Sequence, residues 1–246
     1  NTKDTTVYLN RQIKRNNERR IDEMSDKCLL CGKCSAVCPV GVEGDRIRIA
    51  QRAARVYNLS PSYGNITYES LENKVNKNVT NINKFVKEDD NEKVLYFAGC
   101  MTSLTPGISK AVISILKKAG VRCDYMDKDG GLCCGRPMWM AGRLKEAKEL
   151  IAKNTEIIMN SKATVLLVSC PICYKVFKEE YRLEGIRIVH HTEFFDELAC
   201  SGRIRITGSG QRYVYHDPCE LGRGCGIYEE PRRLIAAAGN MVEAKK

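Results

Sequence analysis

The chain has 246 residues, of which 43% are hydrophobic and 28% are charged. This composition is typical of a globular protein that is long enough to bury a hydrophobic core, and it argues against a disordered or membrane-embedded chain. The formal net charge is +10, but the densest basic stretch is residues 11–20 and the signs are mixed elsewhere. We therefore do not expect a nucleic-acid partner.

The first feature in chain order is a cysteine run inside a small, mostly α-helical segment, residues 1–58. Its spacing is Cys-x2-Cys-x2-Cys-x3-Cys-Pro, and residues Ile47, Ala50, Ala54 and Tyr57 after it recur at helical spacing. Bacterial ferredoxins use this run to bind [4Fe-4S] clusters, and the fourth cysteine binds a different cluster in two-cluster proteins. The predicted ligands are Cys28, Cys31, Cys34 and Cys38. Whether Cys38 binds within this chain is left open.

Residues 59–92 contain no cysteine and predict a helical linker, with an amphipathic helix over about 68–87. From residue 93 onward, short apolar strands alternate with helices, which predicts an α/β domain over 93–246 with a parallel sheet and flanking helices. The predicted strands are 94–97, 121–126, 164–169, 186–191 and 212–216, and the main helices begin near Thr105 and Arg143.

An internal repeat appears at an offset of 119 residues. The sequence YFAGC at 96–100 matches YHDPC at 215–219, and ILKKAG at 115–120 matches LIAAAG at 234–239. This predicts a first repeat over 93–200 and a partial second repeat over 201–246. The next cysteine of the second copy would fall about six residues beyond Lys246, so we expect that the sequence stops inside this repeat.

A second set of cysteines lies in the predicted α/β domain. Two of them, Cys100 and Cys170, follow predicted strands, and open α/β sheets place their sites at the carboxyl ends of strands. The full set is Cys100, Cys133, Cys134, Cys170 and Cys173. Tetrahedral zinc or a cubane cluster needs four thiolates, so the fifth is either a spare or part of a less regular cluster.

The spacing Cys-x32-Cys-Cys-Gly-x34-Cys-x2-Cys resembles the cysteine-rich CCG domain of heterodisulfide reductase catalytic subunits, which also occurs in an anaerobic glycerol-3-phosphate dehydrogenase subunit and in glycolate oxidase iron-sulfur subunits. The resemblance implies that these five cysteines bind a noncubane [4Fe-4S] cluster and that Cys219 is the first ligand of a second one. The second CCG and its Cys-x2-Cys are missing from this sequence, which leaves the Cys219 site incomplete.

These features predict an iron-sulfur electron-transfer subunit of a cytoplasmic oxidoreductase complex. Electrons would pass from the ferredoxin-type cluster to the CCG-domain cluster, which would reduce a disulfide or hand them to a quinone or a partner subunit. The sequence contains no GxGxxG motif, so a flavin or hydrogenase-type donor would be a separate chain. The basic segment 11–20 is a candidate for peripheral docking at the inner face of the membrane. The alternative is a zinc-stabilised binding module without redox activity.

Overall fold

The computed structural model describes residues 23–56, 92–103, 105–128 and 132–243. The predicted helix over 68–87 and the basic segment 11–20 lie outside this part of the chain. The described residues form two compact units. The loop unit consists of residues 23–56 and 135–149, and the sheet unit consists of the other described residues.

The elements follow the predicted alternation of strands and helices. In chain order they are α1 Lys33–Ala36, α2 Gly44–Ala54, β1 Val94–Phe97, α3 Pro106–Lys118, β2 Cys123–Tyr125, α4 Arg136–Met140, α5 Leu144–Asn160, β3 Val165–Val168, α6 Pro171–Glu180, β4 Arg187–His190, α7 His191–Cys200, β5 Arg212–Tyr213, α8 Gly222–Cys225, α9 Glu229–Ala238 and β6 Asn240–Met241. A 3-10 turn, Cys100–Ser103, joins β1 to α3.

The sheet unit contains a four-stranded sheet in the order β2-β1-β3-β4. All three pairings are parallel, with Val94 opposite both Cys123 and Val165 and with Val165 opposite Arg187. The prediction of a parallel sheet with flanking helices is confirmed. The chain leaves β1 toward one edge of the sheet and returns beside β1 on its other side, so the switch point of this topology lies between β1 and β3.

Both faces of the sheet are buried, because successive side chains of a strand point to opposite faces. Val94 and Tyr96 belong to a core cluster with residues of α3 and α7. Leu95 and Phe97 belong to a second cluster with residues of α5 and α6, in which the Phe97 and Phe177 rings meet edge to face at 5.0 Å. The strands of the sheet are therefore continuous apolar runs, as buried parallel strands generally are.

The prediction of a strand over 212–216 is wrong beyond Tyr213. In the described residues β5 pairs only with β6, in parallel, with Arg212 opposite Asn240. The chain then leaves the sheet direction before Pro218, which cannot donate a ladder hydrogen bond. Even so, β5, α8, α9 and β6 repeat the strand-turn-helix-strand order of β1, the turn at Cys100, α3 and β2. The boundaries of the two repeats and of the domains stay a prediction.

In the loop unit, helix α2 packs tightly against the turn that follows α4. Gly142 has φ +82°, and a Cβ built on it would lie 2.4 Å from the Ala53 amide nitrogen. We expect Gly142→Ala to lower the free energy of unfolding by about 1–3 kcal/mol or more, because both the left-handed backbone and the overlap oppose a methyl group. Urea unfolding of the metal-free chain measures this loss.

Gly41→Ala is the matched control in the same unit. Gly41 also has a left-handed φ, +67°, but a Cβ there would have no neighbour within 4 Å. The decrease in the free energy of unfolding in Gly41→Ala should therefore come only from backbone strain and amount to about 1 kcal/mol. Equal losses for the two variants would show that the close packing of Gly142 is not important for stability.

Candidate metal centres

Five cysteines come together at the carboxyl edge of the four-stranded sheet. Cys100 follows β1 and Cys170 follows β3, so both lie at the switch point. Cys170 is also the N-cap residue of α6, whose first turn carries Cys173. The loop after β2 brings the remaining two, Cys133 and Cys134, which are buried. The sheet topology thus gathers thiols that lie up to 73 residues apart in sequence.

The thiols contact one another in pairs. Cys100 hydrogen bonds with Cys133 and lies in electrostatic range of Cys170. Cys173 hydrogen bonds with both Cys134 and Cys170. In the described ranges, no group of three or more His, Cys, Asp or Glu side chains is arranged to hold a single metal ion. The observed arrangement is therefore a chain of sulfur contacts rather than a preformed site for one ion.

These contacts shift the acidity of the thiols in opposite directions. The hydrogen bond with Cys133 and burial raise the pKa of Cys100 above its usual range. Contacts with Cys134 and Cys170, together with burial, raise the pKa of Cys173. The thiol of Cys173 donates to Cys170 and lowers the pKa of that thiol to about 7. Because a metal binds the thiolate form, loading this site has to release protons, and Cys170 loses its proton more readily than Cys100 or Cys173.

Asp127 and Gly99 shape the segment that carries Cys100. The Asp127 carboxylate is 4% exposed and accepts hydrogen bonds from the amides of Ala98 at 2.8 Å and Gly99 at 2.7 Å. Burial raises the pKa of Asp127 to about 6, although these two bonds oppose the rise. Gly99 has φ +92°, and a Cβ on it would lie 3.2 Å from the Cys173 sulfur. The missing side chain leaves room beside the thiols.

Asn154 and Tyr181 hold the segment that carries Cys133 and Cys134. The Asn154 amide group, 1% exposed, donates to the Cys133 carbonyl at 2.8 Å and to the Tyr181 hydroxyl at 2.9 Å. That hydroxyl in turn donates to the Cys134 carbonyl at 3.1 Å. Both carbonyls of the paired cysteines are therefore fixed by buried side chains from α5 and from the end of α6.

His190 holds the segment that carries Cys170. Its Nδ1 lies 2.8 Å from the Thr192 hydroxyl and accepts from the Thr192 amide, so Nε2 carries the proton and donates to the Ser169 carbonyl at 3.0 Å. Burial lowers the pKa of His190 to about 3, which keeps the ring neutral. Each cysteine-bearing segment of the site is thus fastened by a buried polar side chain.

The ferredoxin-like run lies in the loop unit. The Cys28 sulfur accepts from the Leu30 amide at 3.4 Å, and the Cys38 sulfur accepts from the Val42 amide at 3.3 Å. The Arg52 guanidinium donates to the Cys28 carbonyl at 2.7 Å and also to the Ser25 carbonyl at 2.7 Å. All four thiols of the run are partly exposed. The loop is therefore held through its backbone, which leaves the sulfurs accessible.

Cys219 is partly exposed, and the next residue, Glu220, lies in electrostatic range of Cys170. Within the described residues the Cys219 side chain has no hydrogen bond with another cysteine. The preceding turn is fixed by Asp217, which accepts two hydrogen bonds from Arg232 on α9. The interaction lowers the pKa of Asp217. The segment around Cys219 is therefore ordered by the pair of Asp217 and Arg232.

The remaining cysteines have ordinary surroundings. Burial raises the pKa of Cys123, within β2, to about 12, and Cys200 is exposed at the end of α7. Burial raises the pKa of Cys225 to about 11, and this residue packs against the core cluster that contains Leu221. None of these three thiols makes a cysteine contact in the described part of the chain.

Sequence reasoning missed the residues that fasten the two groups of thiols. Asn154 lies in the buried stripe of α5 between Leu150 and Ile158, and a polar residue in an apolar stripe is a signal that could have identified it. Asp127 follows a strand at the edge where α/β sheets place their sites. Tyr181 and Arg52 carry no comparable signal, because their targets are backbone carbonyls from distant positions.

Comparison with known proteins agrees with the two groups of thiols. The cysteine-rich CCG domain family matches residues 94–178, and the 4Fe-4S binding domain family matches residues 22–42. No solved structure gives a significant match. The first match contains the five cysteines that come together in the sheet unit, and the second contains the four cysteines of the ferredoxin-like run.

Three relatives of the chain carry the names of oxidoreductases or of their subunits. It is 28% identical over 217 residues to a fumarate reductase (CoM/CoB) subunit of Methanothermobacter marburgensis, covering 85% of this chain and 43% of the relative. It is 27% identical to EtfAB:quinone oxidoreductase of Syntrophomonas wolfei, covering 87% and 33%. It is 28% identical to a dihydromethanophenazine:CoB–CoM heterodisulfide reductase subunit of Methanosarcina acetivorans, covering 89% and 59%. The chain thus spans between a third and three fifths of these relatives.

The Tyr181 hydroxyl should contribute to stability through its two buried hydrogen bonds. We expect Tyr181→Phe to lower the free energy of unfolding by about 1–3 kcal/mol, because the Cys134 carbonyl and one Asn154 donor lose their partner. Chemical unfolding of the metal-free chain measures the change. Tyr213→Phe, whose hydroxyl bonds Ser209 at an exposed position, should change stability by less than about 0.5 kcal/mol. Similar losses for the two would contradict the role given to Tyr181.

The room beside Gly99 leads to a test of the site in the sheet unit. A methyl group at this position would stand 3.2 Å from the Cys173 sulfur on a left-handed backbone, so Gly99→Ala should take up less iron during anaerobic reconstitution. Gly107→Ala, a helical position with no neighbour within 4 Å of its Cβ, should load like the original chain. Full iron content in Gly99→Ala would show that this space is not needed.

Proposed function

We propose that this chain is the electron-transfer part of a reductase complex, in which a ferredoxin-type [4Fe-4S] cluster passes electrons to an iron-sulfur centre at the edge of the sheet. The observation that carries the proposal is the convergence of five thiols, from separate positions of the CCG region, at the switch point between β1 and β3. The match of residues 22–42 to a 4Fe-4S binding domain supports the first cluster.

The proposed ligands divide by unit. The first cluster would be held by Cys28, Cys31, Cys34 and Cys38, and the second by Cys100, Cys133, Cys134, Cys170 and Cys173. Cys219 would contribute to a further centre. Sulfur donors suit iron-sulfur clusters, and five of them exceed the four that a regular cubane needs, which supports a noncubane cluster in the sheet unit.

The residues of the chain prepare the second site for this role. The side chains of Asp127, His190, Asn154 and Tyr181 fix the backbone that carries the thiols, so this backbone needs little reorganisation when the thiols turn to bind a cluster. Gly99 leaves space beside Cys173. When bound, the clusters supply one-electron redox chemistry. The protein holds the thiols in place, and it limits solvent through the burial of Cys133, Cys134 and Cys173.

The proposed acceptor is a disulfide, a quinone or a partner subunit. The first two need two electrons and two protons, giving two thiols or a quinol, so the chain would deliver two electrons in succession. The relatives' names support both chemistries, since one is a heterodisulfide reductase subunit and another is a quinone oxidoreductase. The proposed donor is a separate flavin or hydrogenase-type subunit.

We place the protein in the cytoplasm, with peripheral association at the membrane in the quinone-linked case. None of the cysteines in the described residues takes part in a disulfide, which fits a reducing compartment. In the described parts of the chain, the helices are too short or too polar to cross a bilayer.

Anaerobic purification followed by iron, acid-labile sulfide and zinc analysis tests the proposal. We expect iron and sulfide in comparable amounts, with EPR signals from two kinds of centre. Cys134→Ser should remove the signal of the sheet unit and leave the ferredoxin-type signal, because a hydroxyl is a poor ligand for this cluster. Cys123→Ser, at a buried cysteine without a thiol partner, should keep both signals.

Two outcomes would contradict the proposal. Stoichiometric zinc without sulfide would favour the alternative, a zinc-stabilised binding module without redox activity. Loss of both EPR signals in Cys134→Ser alone would show that the two groups of thiols do not form separate centres.

A further inference from the structure

Two arginines are buried side by side on helix α2. Arg48 is 3% exposed and Arg52 is 8% exposed, and they stand one helical turn apart. A buried charge is costly unless it has a countercharge, and like charges at this spacing repel each other. The loop unit therefore contains two adjacent buried positive charges that need an explanation.

Arg52 is satisfied by neutral oxygen atoms. Its guanidinium donates to the carbonyls of Ser25, Asp26, Cys28 and Met140, at distances between 2.7 and 3.3 Å. These bonds fasten the loop in front of the first cysteine. They meet the hydrogen-bonding needs of Arg52 but leave its charge uncompensated.

Arg48 faces the cysteine run. Its guanidinium lies beside the Cys28 thiol and in electrostatic range of Cys34, while its Nη1 donates to the Gln51 side chain at 3.3 Å. The backbone carbonyl of Arg48 accepts from the buried Ser25 hydroxyl at 3.4 Å. The position of the side chain is therefore fixed next to two predicted cluster ligands.

The other two arginines of this region each form an ion pair with a carboxylate. Arg46 pairs with Glu43 at 3.2 Å, and Arg55, just after the helix, pairs with Asp26 at 2.9 Å. Neither Arg48 nor Arg52 has an ion pair with a carboxylate in the described residues. Of these four arginines, the two that are buried are thus the two that have no carboxylate partner. The groups beside Arg48 that can become anionic are thiols.

We propose that Arg48 is the buried countercharge of the cluster held by the run from Cys28 to Cys38 and that it raises the reduction potential of this cluster. The inference rests on the proposed function. A cluster with four thiolates carries about two negative charges when oxidised and about three when reduced. The negative charge of the cluster would be the countercharge that the two arginines lack. A fixed cation stabilises the reduced form of the cluster more than the oxidised form.

Redox titration of the anaerobically reconstituted full chain, monitored by EPR, tests the inference. The titration follows the EPR signal of the ferredoxin-type cluster, which is the signal that Cys134→Ser is expected to retain. We expect Arg48→Gln to shift its midpoint potential to more negative values, and Arg48→Lys, which keeps the charge, to stay nearer the original value. Arg46→Gln removes an exposed arginine from the same helix, with a side chain 62% exposed, and should leave the potential unchanged.

Each result decides the inference. An unchanged potential in Arg48→Gln, or equal shifts in the Gln and Lys variants, would overturn it. Cluster uptake by Arg48→Lys but not by Arg48→Gln supports a role of the charge, whereas loss of uptake in both variants would mean that Arg48 acts only in folding. If the original chain assembles no ferredoxin-type cluster, the proposed function fails. This result differs from one in which the cluster assembles but its potential does not change when Arg48 is replaced, which would overturn only the inference on Arg48.

Discussion

The order of the strands in the parallel sheet is the constraint on which the site in the sheet unit depends. Because β2 and β3 lie on opposite sides of β1, the loops that leave the carboxyl ends of β1 and β3 diverge and open a space between them. Cys100 and Cys170 are the residues that enter this space. A sheet in which the strands followed one another in sequence order would not bring these two segments together at a switch point.

The second requirement is that the backbone around the thiols stays fixed. Hydrogen bonds that are shielded from water are stronger than exposed ones, and an unmade bond there is costly. Asp127, His190 and the pair Asn154 and Tyr181 each hold a different cysteine-bearing segment. In the proposed function, the thiols would then exchange protons for metal while the polypeptide around them keeps its shape.

The two units use positively charged groups differently. In the sheet unit, Arg232 and Arg233 of α9 pair with Asp217 and Asp196, which joins the end of the chain to the turn before Cys219 and to α7. In the loop unit, Arg48 and Arg52 are buried among thiols and carbonyls. The net charge of the sequence does not separate these cases, since a paired surface arginine and a buried countercharge count equally in it.

Local sequence features were enough to predict the spacing of both cysteine groups, the alternation of strands and helices, and the ends of several elements. Pro106 and Gly120 set the limits of α3, for example, because a first-turn proline and a left-handed glycine act locally, whereas Thr105 takes the N-cap position without a capping hydrogen bond from its side chain. The helical spacing of Ile47 and Ala50 predicted α2 but not its buried face, since Ala50 is exposed while Arg48 and Arg52 are buried. That face is set by long-range packing, because the carbonyls and thiols that these arginines meet come mainly from residues 25–34, about one to two dozen positions away. The same holds for Asn154, Tyr181 and Asp127: their roles depend on partners that meet in space after the sheet has formed, and no local pattern encodes such contacts.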